Sequence, residues 1–193
     1  MKHLVIYCHP NPKSFNHAIK EAFVAALKNK KHEVHIRDLY MHNFDPVLKA
    51  SDFELLQKGR AAADVQAEQN EIKWAEVMTF IFPVWWTGLP ARVKGYIDRV
   101  FSHGFAFVVD KDGVKGLLKG KKVLILNTTG TPAAIYESTG MFKSMNQTSD
   151  TGIFEFCGVQ VLGHKYFAGV TSNTPEERKM MLEEVKAIAE KIS

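Results

Sequence analysis

Four short runs of apolar, β-branched and aromatic residues constrain the fold of this chain most strongly. They occupy residues 3–8, 77–83, 122–127 and 160–168, and a fifth, weaker run at residues 33–38 alternates between polar and apolar side chains. Strands that are apolar along their whole length are buried on both faces of a sheet. Helical patterns separate the runs, at residues 16–30, 61–75, 89–102, part of 135–157, and 174–192. This alternation predicts an α/β fold, a doubly wound parallel sheet of five strands flanked by helices.

Composition limits the classes of protein to which the chain can belong. Its 193 residues are 46% hydrophobic and 24% charged, without a repeat or linker, which predicts a single domain over residues 1–193. The net charge of +4 comes from scattered lysines and arginines, so we expect no nucleic-acid partner. No apolar stretch approaches the roughly 20 residues that cross a bilayer. Cys8 and Cys157 form neither a disulfide framework nor a metal-site spacing, so we expect a soluble, cytoplasmic protein without a bound metal.

Ligands of such sheets bind beyond the carboxyl ends of the strands, where the first loop is rich in hydrogen-bond donors. This loop reads CHPNPKSFN and leads directly into a helix. The amino end of that helix, with His9, Ser14 and Asn16 beside it, is suited to an anion such as phosphate. Simple capping of the helix by Ser14 or Asn16 is the alternative explanation. The loop lacks the glycines of a Walker or dinucleotide fingerprint.

Two further loops, FPVWWTGLP and NTTGTP, follow strands at the same edge. Trp85 and Trp86 suit a planar aromatic ligand, although tryptophans also occur in cores. Thr128, Thr129 and Gly130 supply donors that can stabilise negative charge, although a turn has the same composition. Together the three loops predict a site for a phosphate-bearing, planar, charge-accepting ligand, and a flavin nucleotide fits that description.

Five stretches resemble a known family, in the family's order along the chain. They read HPNPKSFNHAI, RDLYMHNFDPVL, DVQAEQNEIKWAEVMTFIFPVWWTGLPARVKGYIDRVF, LNTTGTPAAIY and FCGVQVLG. On these residues the chain resembles the DT-diaphorase-like NAD(P)H dehydrogenases (quinone), a branch of the flavodoxin-like superfamily. It lacks the C-terminal extension of the mammalian type, so we expect a bacterial-type member. The most specific stretch is the block FPxWWxGxPAxxKGYIDRVF.

The resemblance implies a bound FAD, with FMN as the alternative, and NADPH or NADH as the co-substrate. The flavin phosphates and the adjoining ribityl or adenosine parts would be held by His9, Ser14, Phe15 and Asn16. The ring would be lined by Pro83, Val84, Trp85, Trp86 and Thr87. The N1–C2=O side of the ring would face Thr128, Thr129, Gly130 and Tyr136. The FAD-binding end or the partner subunit would involve Gln66, Asp98 and Arg99.

The resemblance also implies an oxidoreductase that transfers two electrons to a quinone or a related aromatic acceptor. The reaction would be ping-pong, with the nicotinamide leaving before the acceptor enters the same slot. The catalytic residues would be Tyr136, Thr128 and Gly130, and the enzyme would be a homodimer with active sites at the subunit interface. Phe142 replaces a histidine that partners the tyrosine in mammalian-type members, so Tyr136 is expected to act alone. Phe107 and Val109 replace two tyrosines of the acceptor pocket, which predicts a more apolar pocket.

Three alternatives stand beside this interpretation. The chain could be a flavin-binding regulatory or ancillary subunit of a potassium-efflux transporter, peripherally associated with it. It could be a flavodoxin-type electron carrier, which would bind flavin without reacting with nicotinamide. Cys8 and His9 could form a nucleophile–base pair, although adjacent residues at the end of a strand point in opposite directions.

Overall fold

Seven strands are present in the computed structural model, which describes residues 1–192. They are β1 (Lys2–Tyr7), β2 (Glu33–Asp38), β3 (Val77–Pro83), β4 (Phe107–Asp110), β5 (Gly113–Gly116), β6 (Lys122–Thr128) and β7 (Gln160–Phe167). Five of them form one parallel sheet in the order β2-β1-β3-β6-β7, and β4 pairs with β5 in a separate antiparallel hairpin. The predicted α/β fold with its five-stranded parallel sheet is confirmed.

Helices connect the strands of the sheet. They are α1 (Phe15–Asn29), α2 (Ala50–Gln57), α3 (Ala63–Trp74), α4 (Ala91–Val100), α5 (Ala133–Ser138), α6 (Met141–Asn146) and α7 (Pro175–Lys191). A π-helical segment, Gln147–Glu155, continues α6. None of the helices within residues 1–192 is both long and apolar enough to cross a membrane.

Both faces of the sheet are covered by helices. On one face, α1 and α7 contribute the buried side chains of Phe23, Leu27 and Val185. On the other face, α3, α4 and the π-helical segment contribute Ile72, Tyr96 and Phe154, which are also buried. The central strands therefore contact apolar side chains on both sides, which is why their sequences are apolar throughout.

Three parts of the chain differ from the sequence prediction. The first is α2 (Ala50–Gln57), a region for which no helix was predicted. The helical pattern at residues 135–157 forms three pieces, because Gly140 adopts a left-handed φ of 70° that separates α5 from α6. The segment between α4 and β6, for which no strand was predicted, contains the β4–β5 hairpin. Its turn has Gly113 at a φ of 108°, a conformation that L side chains rarely adopt.

Candidate active-site cleft

The first wall of the candidate site is the amino end of α1, which follows β1. Ser14 caps this helix, since its Oγ accepts a hydrogen bond from the amide of His17 at 3.2 Å, and the Tyr7 hydroxyl lies 3.4 Å from the same oxygen. The amides of Phe15 and Asn16 donate to no acceptor within the described chain. Two free N–H groups and the positive end of the helix dipole can together bind an anion.

The second wall is a tight turn at residues 85–88, which follows β3. Trp85 and Gly88 exchange backbone hydrogen bonds of 3.2 and 3.1 Å, and the central residues, Trp86 and Thr87, have φ values of 51° and 54°. Both values lie in the left-handed region, where a β-branched residue is an outlier. Strain of this kind is concentrated at functional sites. The amides of Trp86 and Thr87 have no acceptor in residues 1–192.

The third wall is the loop after β6. Asn16 Nδ2 donates to Thr128 Oγ1 at 2.6 Å and so joins this loop to α1. Thr129 is buried, and its amide donates to a carbonyl at the end of β7. The amides of Gly130 and Thr131 are unpaired within the part of the chain that the structure describes. Unpaired amides at the end of a strand can stabilise negative charge on a bound group.

The three walls enclose a cleft of about 500 Å³ at the carboxyl edge of the sheet. A volume of this size suits a small-molecule ligand. The predicted residues that line it are His9, Ser14, Phe15, Asn16, Pro83, Val84, Trp85, Trp86, Thr128, Gly130 and Tyr136. Thr131, Val170 and Thr171 also line it and were missed by the sequence analysis. The position of Val170 and Thr171 in the loop that follows β7 is the signal that could have identified them.

Three further predicted residues contact other parts of the molecule. Thr87 belongs to the 85–88 turn, but it lines a smaller cavity beside the cleft. Thr129 is 1% exposed, and its hydroxyl donates to the Thr131 carbonyl at 2.7 Å, so it supports the loop from inside. Gln66 lies on α3, at a separate cavity.

Asp98 and Arg99 lie on α4, and the side chain of each forms ion pairs with other residues of the chain. Asp98 accepts from Lys94 at 2.6 Å. The buried guanidinium of Arg99 pairs with Asp52 at 3.1 Å and with Asp64 at 2.5 Å. Arg99 therefore ties α2 and α3 to α4, and its predicted contact with a cofactor stays a prediction.

Tyr136 lines the cleft from α5. Its hydroxyl forms no hydrogen bond within residues 1–192, and the ring of Phe142 packs edge-on against it with the centroids 5.3 Å apart. A phenol without an internal partner is available to donate to a bound ligand. Because Phe142 has no exchangeable proton, it cannot relay one to Tyr136.

Cys8 and His9 do not form a nucleophile–base pair. Cys8 is 1% exposed, and burial raises the pKa of its thiol to about 12, which keeps it protonated near neutral pH. His9 Nδ1 instead accepts from the amide of Asn11 at 3.0 Å. The alternative of a Cys8–His9 nucleophile–base pair, as in a hydrolase or transferase, therefore has no structural basis.

Comparison with known proteins finds relatives that share the fold and bear the names of NAD(P)H oxidoreductases. Residues 1–192 match the family described as having a flavodoxin-like fold. An NAD(P)H oxidoreductase of Haemophilus influenzae, named as uncharacterized, is 35% identical over 95% of this chain and 91% of its own length. NAD(P)H dehydrogenase (quinone) 1 of Rattus norvegicus is 34% identical over 93% of this chain and 73% of its own length. The solved NAD(P)H:quinone oxidoreductase from Methanothermobacter marburgensis superposes with a TM-score of 0.89 and 26% identity, covering 98% and 96% of the two chains.

Proposed function

The chain belongs to the family of NAD(P)H dehydrogenases (quinone) with a flavodoxin-like fold, and from this membership we propose that it uses a bound flavin to reduce quinone-type acceptors with NAD(P)H. The observation that carries the proposal is the set of unpaired amides around one cleft. Two belong to the amino end of α1, two to the 85–88 turn and two to the loop after β6. This distribution supplies donors for a phosphate at one wall and for the edges of a planar ring at the other two.

The residues present fit a flavin. Phe15 and Asn16 would hold a phosphate, and Trp85, Trp86 and Gly130 would surround the ring. Asn16 Oδ1 is buried and accepts no hydrogen bond within the described chain, so it has room for a hydroxyl donor of the ligand. A bound flavin supplies two-electron chemistry, which takes electrons from a nicotinamide and passes them to an acceptor.

The protein residues contribute position and electrostatic stabilisation. Gly130, Thr128 and Tyr136 line the cleft at its β6 side, where they can donate to a ligand that becomes negatively charged. One well-placed donor of this type contributes about 3 kcal/mol to the stabilisation of a transition state. We propose a ping-pong order, in which the nicotinamide and the quinone occupy the same space of this cleft in turn.

We propose FAD as the flavin, with FMN as the alternative. The cleft continues past the amino end of α1 to Val170 and Thr171. Beside it, the Arg178 guanidinium lies 6.0 Å from the centroid of the Phe15 ring, and its buried Nε has no partner in residues 1–192. An apolar ring with a cation and a free donor next to it supports an adenine at this end.

We further propose that the chain is a cytoplasmic homodimer. Trp86 is 100% exposed at the mouth of the cleft, and Met41, Phe53 and Val109 are exposed by 84%, 54% and 59%. Large apolar side chains exposed on a surface support a partner that covers them. Two buried free cysteines support a reducing compartment. Sedimentation of the purified protein should give the mass of a dimer. A monomer at micromolar concentration would contradict the proposed homodimer.

Steady-state kinetics tests the activity. Purified protein loaded with FAD or FMN should oxidise NADPH or NADH only when a para-benzoquinone is present, and reciprocal plots at several quinone concentrations should be parallel. Tyr136→Phe should slow the reduction of bound flavin by NAD(P)H without changing flavin content. Absence of quinone-dependent oxidation with either flavin would contradict the proposal, and an unchanged Tyr136→Phe rate would remove Tyr136 from the catalytic residues.

A further inference from the structure

A buried histidine lies next to the cleft, outside the set of residues that the proposed reaction uses. The side chain of His164, on β7, is 4% exposed. Its Nε2 lies 2.6 Å from Asn127 Oδ1, and its Nδ1 lies 2.8 Å from Asp150 Oδ1. We call Asn127, His164 and Asp150 the histidine network. Neither the strand pattern nor the family motifs pointed to it.

Two irregularities in the fold create this network. A β-bulge between Val123 and Leu124 shifts the pairing of β6 with β7, so that Gly163 follows Val161 in the register. Because of this shift, His164 takes the same side of the sheet as Val161, facing α6 and the π-helical segment, while Lys165 pairs with Glu184 of α7 on the other side. Asp150 belongs to the π-helical segment, a form of helix that is frequent at functional sites.

The hydrogen-bond partners determine where the protons lie. Asn127 Nδ2 donates to the Phe82 carbonyl at 3.0 Å, so the oxygen of the amide must face His164. Asp150 Oδ1 is a carboxylate acceptor, and the single proton of Ser149 Oγ can be donated either to it at 2.7 Å or to the Met145 carbonyl at 2.9 Å. Both ring nitrogens of His164 therefore face acceptors, and both bonds form only when each nitrogen carries a proton.

The ring of Tyr166 packs against the imidazole of His164. It stacks on the imidazole with the centroids 4.2 Å apart and the planes 20° from parallel, the arrangement of a cation against an aromatic face. Its hydroxyl donates to Asn146 Oδ1 at 2.7 Å, and burial raises the pKa of this phenol far above its usual range. No other titratable side chain in residues 1–192 forms a hydrogen bond, ion pair or ring contact with His164 besides Asp150 and Tyr166.

The histidine network ends on the strand that carries the 85–88 turn. The Phe82 carbonyl, which Asn127 holds, forms the peptide bond with Pro83, and Val84 and the strained turn follow. A cavity of about 30 Å³ is lined by Asn127 and His164 and also by Val84 and Thr87. The histidine network and the 85–88 turn therefore line the same cavity, and only Pro83 and Val84 separate Phe82 from the turn.

We propose that His164 is a positioning residue that stays doubly protonated and, through Asn127 and the Phe82 carbonyl, fixes the 85–88 turn in the strained conformation that binds flavin. The Asp150 carboxylate, which accepts from Nδ1, stabilises the ring that carries both protons. If the ring loses one proton, Nδ1 keeps its proton for Asp150 and Nε2 no longer donates to Asn127. Asn127 then loses a charge-assisted hydrogen bond, and the amide that donates to the Phe82 carbonyl is less firmly held. The inference rests on the proposed function only in naming flavin as the ligand of the cleft.

Nitrogen NMR of the histidine rings in the flavin-free protein tests the protonation directly. At about pH 7.5, a unit above the ordinary histidine pKa, His164 should show two protonated ring nitrogens. In Asp150→Asn it should show one. A single protonated nitrogen on His164 in the wild-type protein would overturn the proposal, whatever the variants do.

Flavin titrations from about pH 6 to about pH 9 test the positioning role. Asp150→Asn should bind FAD or FMN about tenfold more weakly at neutral pH, equivalent to about 1.4 kcal/mol. Wild-type affinity should fall towards the alkaline end, and the variant should lack this dependence. His35→Gln is the matched control, because His35 also pairs with a carboxylate, Glu71 at 2.7 Å, but on an exposed edge strand.

The outcomes of the titration separate the two proposals. A wild-type protein that binds neither flavin at any pH would contradict the proposed function, while the NMR result would still decide the state of His164. A folded Asp150→Asn with wild-type affinity and the wild-type pH profile would overturn the positioning role. Equal weakening in His35→Gln would also overturn it, because the effect would then not depend on the histidine network.

Discussion

The strained 85–88 turn makes a prediction about stability that is opposite to the usual effect of a glycine substitution. Thr87 has a φ of 54°, is exposed, and donates from its hydroxyl to the Trp86 carbonyl at 2.7 Å. A left-handed conformation costs an L residue about 1–2 kcal/mol, and a β-branched residue lies at the upper end. Glycine removes that cost, but it adds about 0.4–1 kcal/mol of unfolded-state entropy. The exposed hydroxyl contact is worth about 0.5 kcal/mol.

The balance predicts that Thr87→Gly stabilises the flavin-free protein by roughly 0.5 kcal/mol, which raises Tm by about 1–2 °C in a chain of this length. Lys31→Gly is the matched control, because Lys31 has a φ of 60° in a connection remote from the cleft. Urea unfolding of the wild type and both variants would measure the difference. If Lys31→Gly stabilises the protein and Thr87→Gly destabilises it, the turn is not strained in the free protein, and the argument from strain to function fails.

Three other substitutions test the packing and the electrostatics. His3 is fully buried, and burial lowers its pKa from 6.5 to about 4. Between these pH values only the unfolded chain binds a proton at this side chain. The free energy of unfolding should therefore fall by up to about 3 kcal/mol as the pH drops through this window, and His3→Leu should abolish that loss in urea titrations. Gly95→Ala should destabilise the protein by about 1–3 kcal/mol or more, because the new Cβ would lie 2.0 Å from the Pro46 carbonyl oxygen; calorimetry showing the usual gain of alanine in a helix would contradict this contact. Arg99→Gln should cost about 3–5 kcal/mol because Asp52 would remain buried without its partner, and a loss under 1 kcal/mol in urea unfolding would show that Asp52 is solvated.

The sequence was most informative where one physical rule decides the structure. The strands at residues 77–83 and 122–127 are buried on both faces, so their apolar runs predicted their positions and their place in the sheet. The rule that ligands bind beyond strand ends predicted the cleft between α1 and the loops after β3 and β6. These features depend on local sequence and on general topology alone.

Other features depend on tertiary contacts that no local pattern encodes. The bulge at Val123 reverses which residues of β7 face α6, and a period-2 pattern cannot show such a shift. The left-handed conformation of Trp86 is imposed by the 85–88 turn and contradicts residue preference. The motif that places Arg99 at the FAD-binding end or the partner subunit did not indicate its ion pairs with Asp52 and Asp64.

Anaerobic spectroscopy tests the central claim most directly. The purified protein, or the protein supplied with FAD or FMN, should show the visible absorption of a bound flavin. This absorption should bleach on addition of NADPH or NADH and return when a para-benzoquinone is added. A bound flavin that stays oxidised in the presence of both nicotinamides would contradict the account and favour an electron carrier or a regulatory subunit. A protein that binds neither flavin would show that the cleft serves a different ligand.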